Sequence, residues 1–92
     1  MTDDRILQFK TLDAYYHPDK MAVFFKGHEG DKVVLCGISK EALQDHFGLM
    51  ASKKPLQVFK TNEQLILSIA KKKFSLGVFE LDGSLLIKTE DF

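Results

Sequence analysis

The chain is poor in the features that mark secreted, disulfide-bonded or membrane proteins. It has a single cysteine, Cys36, so no intramolecular disulfide is possible and nothing points to an oxidising compartment. The acidic start, Met1 to Asp4, has no apolar segment behind it and is unlike a signal peptide. No apolar run approaches the roughly 20 residues of a membrane-spanning helix. We therefore expect a soluble cytoplasmic protein without a membrane partner.

Recognisable catalytic and metal-binding motifs are also missing. The sequence has no G-x-S-x-G, H-E-x-x-H, Walker or dinucleotide-binding glycine pattern. The histidines His17, His28 and His46 fit no short ligand spacing, and one cysteine cannot complete a structural zinc set. The carboxylates are scattered, so no acid–base pair is indicated. We predict no catalytic residue, metal or cofactor, and a non-enzymatic role is favoured over an enzyme.

Size and charge indicate one ordinary globular domain covering residues 1–92. Hydrophobic residues make up 45% of the chain and charged residues 28%, and the net charge is zero. The charge is uneven, however: Lys53 to Lys73 holds six lysines against Glu63, a local balance of +5. Such a segment can steer a partner, or it can simply be a solvated helix face.

The longest hydrophobic period runs from Leu56 to Leu76. Pro55 suits the first turn of a helix, and Gly77 suits the position just after its end. Between them the apolar residues recur at helical spacing, namely Phe59, Ile66, Ile69, Ala70 and Phe74. The pattern predicts one long amphipathic helix packed into a core.

Polar residues fall beside apolar stripes at three positions. Asn62 and Lys73 lie within the stripe of the long helix, and His46 borders the stripe of a shorter one. As structural residues, Asn62 would be a hydrogen-bonded amide, Lys73 would keep its ammonium in water, and His46 would border the core. The functional alternative is that Asn62, Lys73 and His46 line a small pocket.

Two strand-like runs, Met21 to His28 and Lys32 to Ile38, flank the turn residue Gly30 and predict a hairpin. One face of it is purely apolar and should form the core. Its members are Val23, Phe25, Val34, Cys36 and Ile38, so Cys36 is expected to be a buried small hydrophobe. The other face is half apolar and carries Phe24, Val33 and Leu35. We expect the N-terminal segment or a second subunit to cover those three residues.

The remaining elements complete an α+β prediction. Ile6 to Phe9 suggests a weak edge strand, Asp13 to Asp19 a loop around Pro18, and Ser39 to Phe47 a short helix. Asp82-Gly83 between two apolar runs predicts a second hairpin. The expected fold is an antiparallel sheet of 4–5 strands in the order β-β-β-α-α-β-β, with two helices, one long, on one face.

Several of these segments together resemble a known family. They are Cys36 to Gly48, Phe59, Asn62, Ile66, Ile69-Ala70, Lys73-Phe74, Asp82 to Ser84 and Lys88 to Phe92. In order and spacing, from about Val23 to Phe92, they are similar to the small bacterial domain-of-unknown-function family fourteen-eighty-eight. The resemblance implies a short cytoplasmic protein with no assigned activity. Glu63 departs from the family, which often has arginine there.

Three functions follow as hypotheses. The first is a protein-interaction module that also self-associates, as a homodimer, through Phe24, Val33 and Leu35, with an unidentified protein partner. The second is nucleic-acid binding, in which Lys60 and Lys71, on one line of the long helix, contact phosphates together with the nearby Lys72. The third is an enzyme or small-molecule binder with a pocket near Asn62, Lys73 and His46.

Overall fold

The computed structural model describes residues 6–9 and 13–92; the acidic start, Met1 to Asp4, lies outside this range. We number the elements along the chain. The strands are β1 (Tyr15–His17), β2 (Ala22–Glu29), β3 (Lys32–Ser39) and β4 (Leu85–Ile87), and the helices are α1 (Lys40–His46), α2 (Pro55–Thr61) and α3 (Glu63–Leu76), followed by a 3₁₀ turn at Thr89–Asp91.

The strands form a mixed sheet in the order β1-β2-β3-β4. β1 and β3 are both antiparallel to β2, whereas β4 is parallel to β3, with Cys36 opposite Leu85 and Ile38 opposite Ile87. The three helices lie between β3 and β4 in the chain and supply the long connection that a parallel pair requires. The α+β class is confirmed, but the antiparallel arrangement was wrong at β4, as was the count of two helices.

The predicted hairpin at Asp82-Gly83 is instead a tight turn within an irregular segment. The Asp82 carboxylate accepts hydrogen bonds from the Ser84 N–H and hydroxyl, and the Gly83 N–H donates to Glu80 O. Residues 78–81 form no strand, because the following residues pair with β3 rather than folding back. A side chain that bonds its own backbone two residues on stabilises such a turn without any strand partner.

The β2–β3 hairpin was predicted correctly. Glu29 faces Lys32 across a two-residue turn, and Gly30 has the positive φ (60°) that this turn needs. The apolar face forms the core as expected. Its buried members are Val23, Phe25, Val34, Cys36 and Ile38, joined by residues of the helices and of β4.

The N-terminal part of the chain pairs with the free edge of β2. Gln8 exchanges two backbone hydrogen bonds with His28, and Leu7 is buried against Gly27, so residues 6–9 make a bridge rather than a full strand. The loop or bulge predicted for Asp13 to Asp19 was wrong at three residues. Tyr15–His17 is β1, since Pro18 follows the strand and breaks pairing only beyond it.

The single long helix was also wrong, because it is interrupted at Asn62. This residue has φ −112° and ψ 21°, and its Nδ2 donates to Val58 O at 2.9 Å. The side chain competes for the Val58 carbonyl, which also accepts the Asn62 N–H at 3.2 Å, and this competition favours a break in the helix. The outer limits hold, however: Pro55 opens α2, and Gly77 ends α3 in the left-handed conformation.

The predicted caps and core contacts of the helices are present. The Ser39 hydroxyl accepts from the Ala42 N–H at 3.0 Å and caps α1. From α2 and α3, the buried apolar residues are Val58, Phe59, Ile66, Ala70 and Phe74. The helices therefore cover the core face of the sheet and leave its other face without a helical layer.

Candidate functional site

The sheet face away from the helices, which we call the outer face, carries the predicted interface residues. Phe24 is only 5% exposed, because Tyr15, His17 and the Nζ of Lys20 pack on its ring. Phe24 is therefore covered by its own chain and is not available to a partner. Val33, in contrast, is 54% exposed, and its neighbour Leu35 is half-buried. The accessible part of the predicted interface is thus reduced to Val33 and Leu35.

Residues 6–9 do not cover this outer face. Leu7 joins the buried core, and Phe9 packs against Phe25 on the core side of the sheet. Residues 6–9 therefore do not provide the expected N-terminal cover, whereas Tyr15 and His17 cover Phe24 and leave Val33 exposed.

A cavity of about 480 Å³ opens beside Val33 and Leu35. Its walls come from β3, from α3 through Phe74, and from the segment that leads into β4 through Phe79, Asp82 and Ser84. The volume lies within the range of roughly 300–1,000 Å³ that is usual for ligand pockets. No local sequence pattern predicts this cavity, because it depends on how far β4 extends along β3.

Asp82 lies at the boundary of two depressions. It lines the cavity beside Val33 and also a smaller one of about 330 Å³ with Lys20, Phe24 and Leu86. Hydrogen bonds from the Ser84 hydroxyl and N–H lower the pKa of the Asp82 carboxyl. The carboxylate is therefore held ionised and oriented at the rim of both depressions at neutral pH.

The lysines predicted to contact phosphates do not lie on one straight line. Lys60 is on α2 while Lys71 and Lys72 are on α3, so the break at Asn62 separates them. All three are exposed, and the Nζ of Lys71 lies 6.0 Å from the centre of the Phe9 ring. Lys60 also borders a depression of about 510 Å³ together with Lys54.

Lys73 departs most from its predicted environment. It is 7% exposed, and its Nζ donates to Leu86 O at 2.5 Å and to Asp91 Oδ2 at 2.6 Å. The expectation that the ammonium stays in water was therefore wrong, because the C-terminal segment folds over it. Burial alone raises the pKa of Asp91, but the bonds from Lys73 and from the Lys88 N–H outweigh it, and that pKa is lowered.

His46 and Asn62 do not share a pocket with Lys73. The Nε2 of His46 lies 3.0 Å from Thr89 O, and the His46 ring stacks on Phe92 at 4.1 Å between centres. Asn62 is half-buried and lines a small depression of about 120 Å³ with Phe47 and Val58. Lys73 and His46 instead both fasten the C-terminal segment. These contacts give the three residues structural roles and take away the basis for a common pocket.

Cys36 lies in the core, as predicted. It is fully buried, and desolvation raises the pKa of its thiol to about 12. A thiol with so high a pKa is a poor nucleophile and a poor metal ligand. Among the described residues, no cluster of three or more histidine, cysteine, aspartate or glutamate side chains is arranged to hold a metal ion. No helix over these same residues has the length and apolarity needed to cross a membrane.

Comparison with known proteins identifies the family. The model of the family described as "Protein of unknown function (DUF1488)" matches residues 7–87. The fold is similar to a crystal structure at 1.60 Å of a DUF1488 protein of unknown function from Shewanella loihica PV-4. The TM-score is 0.75 at 17% identity, over 94% of this chain and 96% of that one. None of the curated proteins matches the chain. The chain therefore belongs to the DUF1488 family, as its sequence resemblance implied.

Proposed function

We propose that this protein is a cytoplasmic protein-interaction module, and that two copies associate through the outer face of the sheet around Val33 and Leu35. The observation that carries the proposal is the exposure of Val33 beside half-buried Leu35, on a face that the helices leave open. Exposed apolar side chains that are grouped on one surface are characteristic of interaction sites.

A second copy of the chain suits this surface because the surface carries both signs of charge. Lys26 and Lys32 lie beside Val33 and Leu35, and Glu29 and Asp82 border the same area. In a two-fold interface, each residue of one copy meets the same patch of the other copy. The patch therefore offers apolar contact at its centre and opposite charges at its rim, which is the usual arrangement of an interface.

Sedimentation velocity and light scattering at micromolar concentrations test the self-association. The wild type should show a concentration-dependent dimer, and Val33→Asp should shift the equilibrium toward the monomer, because a buried unpaired carboxylate opposes association. Leu65→Asp is the matched control, since Leu65 is 56% exposed but lies on α3, away from the outer face. This variant should leave the dimer unchanged.

A wild-type chain that stays monomeric throughout the concentration series would remove the self-association. Equal effects of the two aspartate variants would show that association uses another surface. In both variants, circular dichroism should match the wild type, because neither Val33 nor Leu65 is buried.

Nucleic-acid binding is a second candidate, favoured by the exposure of Lys60, Lys71 and Lys72 in a segment of local charge +5. Binding through these lysines would weaken steeply with added salt, because each neutralised phosphate releases counterions. Fluorescence anisotropy with a labelled duplex and a labelled single strand at low salt tests it. Lys60→Glu combined with Lys72→Glu should abolish any binding, whereas Lys26→Glu on the outer face should not.

A further inference from the structure

β4 pairs with only part of β3, and the remainder of that edge is open. The paired residues are Cys36 to Ile38 of β3 and Leu85–Ile87 of β4. Among the described residues, Lys32 to Leu35 have no strand beside them on this side of the sheet. At roughly 3.3 Å per residue, these four residues make an open edge about 13 Å long.

The register of the hairpin shows which backbone groups point to the open side. The Lys40 N–H donates to Met21 O at 2.8 Å, which makes this pair hydrogen-bonded. Bonded and non-bonded pairs alternate along an antiparallel ladder, so Val34, like Lys40, bonds across to β2. The backbone groups of Val33 and Leu35 therefore point away from β2, toward the side on which β4 lies.

The open edge borders the cavity of about 480 Å³ already described. Phe74 and Phe79 form its apolar wall and contact each other edge to face, with 5.8 Å between ring centres. The carboxylate of Asp82 lies at its rim and is fixed in place by Ser84. An apolar wall, the backbone N–H and C=O of Val33, the N–H of Leu35 and the oriented carboxylate of Asp82 are thus brought together, with Glu29 and Lys32 lining the same cavity.

We propose that this edge of β3 binds an extended peptide as an added strand, in line with β4. Main-chain hydrogen bonds to Val33 and Leu35 would supply affinity, and alternate side chains would supply specificity. An apolar peptide side chain fills the cavity against Phe79, and a basic side chain pairs with Asp82. The partner is therefore an extended segment that alternates apolar and basic residues. This binding goes beyond self-association, since it uses the edge of the sheet and not its face.

The test is a titration of the full ¹⁵N-labelled chain with a blocked eight-residue peptide that alternates valine and lysine. We expect amide shifts confined to β3, the 79–84 segment and neighbouring residues. The amides of Val33 and Leu35 should exchange rapidly with solvent in the free protein and become protected when the peptide binds. The amide of Val34 should be protected in both states, because it bonds to β2.

Two matched peptides separate strand addition from simple apolar or charge contact. N-methylation of the two central peptide amides blocks main-chain pairing and should abolish binding, and an alternating valine–glutamate peptide should not bind. In the protein, Asp82→Asn keeps an oxygen that can accept the hydrogen bonds from Ser84 but removes the negative charge. The affinity for the valine–lysine peptide should therefore fall several-fold.

Binding by the N-methylated peptide, shifts centred on the lysines of α2 and α3, or no shifts at millimolar peptide would each overturn the proposal. The self-association is tested independently, because a chain that stays monomeric in sedimentation can still show these peptide-induced shifts. Conversely, a dimer that ignores the peptide would retain the proposed function and remove only the strand addition.

Discussion

Lys73 and Asp91 form an ion pair that fastens the C-terminal segment to α3. Nζ lies 2.6 Å from Oδ2, and the two side chains are only 8% and 24% exposed. Asp91 Oδ2 also accepts the Lys88 N–H at 2.7 Å, and Lys73 Nζ also donates to Leu86 O in β4. The pair therefore connects the helix, the parallel strand and the final turn of the chain.

Replacing Asp91 by Asn should destabilise the protein strongly for a change of so few atoms. It leaves the buried ammonium of Lys73 without its counter-charge, and breaking a buried pair in this way costs ~3 kcal/mol. Urea unfolding monitored by circular dichroism gives the change in the free energy of unfolding. If the free energy of unfolding decreases by less than is usual for an exposed ion pair, the Lys73 ammonium must bind water or another acceptor in the variant.

The pair between Lys88 and Glu80 is the internal control for that measurement. Its atoms are 2.9 Å apart, but both side chains are about one-third exposed. Water and salt screen exposed pairs, so Glu80→Gln should have a small effect. The contrast between Asp91→Asn and Glu80→Gln isolates burial as the cause.

The ion pair also predicts how stability depends on pH. The pKa of Asp91 in the folded protein is lowered from its ordinary value of 3.8. A carboxyl with a lowered folded-state pKa contributes its full stability above the unfolded value and loses it as the pH falls through the folded value. The difference in unfolding free energy between wild type and Asp91→Asn should therefore be constant near neutrality and shrink below about pH 3.8. A difference that grows on acidification would contradict the assigned direction.

The thiol of Cys36 should react only after the protein unfolds. It is fully buried, and desolvation raises its pKa to about 12, so almost no thiolate exists at pH 8. Ellman's reagent should react at once with protein in guanidinium chloride and very slowly with native protein. Because the reaction requires opening of the core, the destabilised Asp91→Asn variant should react faster than wild type. Rapid reaction of the native wild type would contradict this prediction, because it would mean that the part of β3 around Cys36 is accessible to solvent.

Gly37 makes room for the ring of Phe24 on the outer face. A Cβ at Gly37 would come within 2.8 Å of Phe24 Cδ1 and 2.9 Å of Cε1, and the ring is held by its neighbours. Gly37→Ala should therefore cost ~2 kcal/mol of unfolding free energy, a typical cost of overpacking. In a Phe24→Leu background the added cost should shrink, because the ring atoms that meet the new methyl group are gone. If Gly37→Ala costs as much unfolding free energy in that background as in the wild type, the strain does not come from the Phe24 ring.

Structural features that depend on a few adjacent residues were predictable from the sequence, whereas those that depend on distant segments were not. The hairpin at Gly30, the cap at Ser39 and the end of α3 at Gly77 were all predictable, because each depends on the conformational preferences of a few adjacent residues. The turn at Asp82-Gly83 was also predictable as a turn. The pairing of the residues that follow it was not, since the turn leaves the choice of partner strand open.

For the candidate site, sequence alternation identified Val33 and Leu35 on the half-apolar face, but it also included Phe24, which its own chain covers. The sequence pattern did not predict Asp91 as the partner of Lys73, because 18 residues separate the two and no local period relates them. The positions of Asn62, Lys73 and His46 also depend on long-range packing: Lys73 and His46 contact the C-terminal segment, whereas Asn62 bonds to Val58.

The amino-acid sequence by itself determined the β2–β3 hairpin, the apolar face that forms the core and the caps of the helices, because local periodicity and turn chemistry suffice for these. Only the tertiary structure decided that β4 lies parallel to β3, that the C-terminal segment covers Lys73, and that an edge of β3 stays open beside Phe79. Those features depend on which distant segments pack together. That choice is made by the whole core and not by any one stretch of residues.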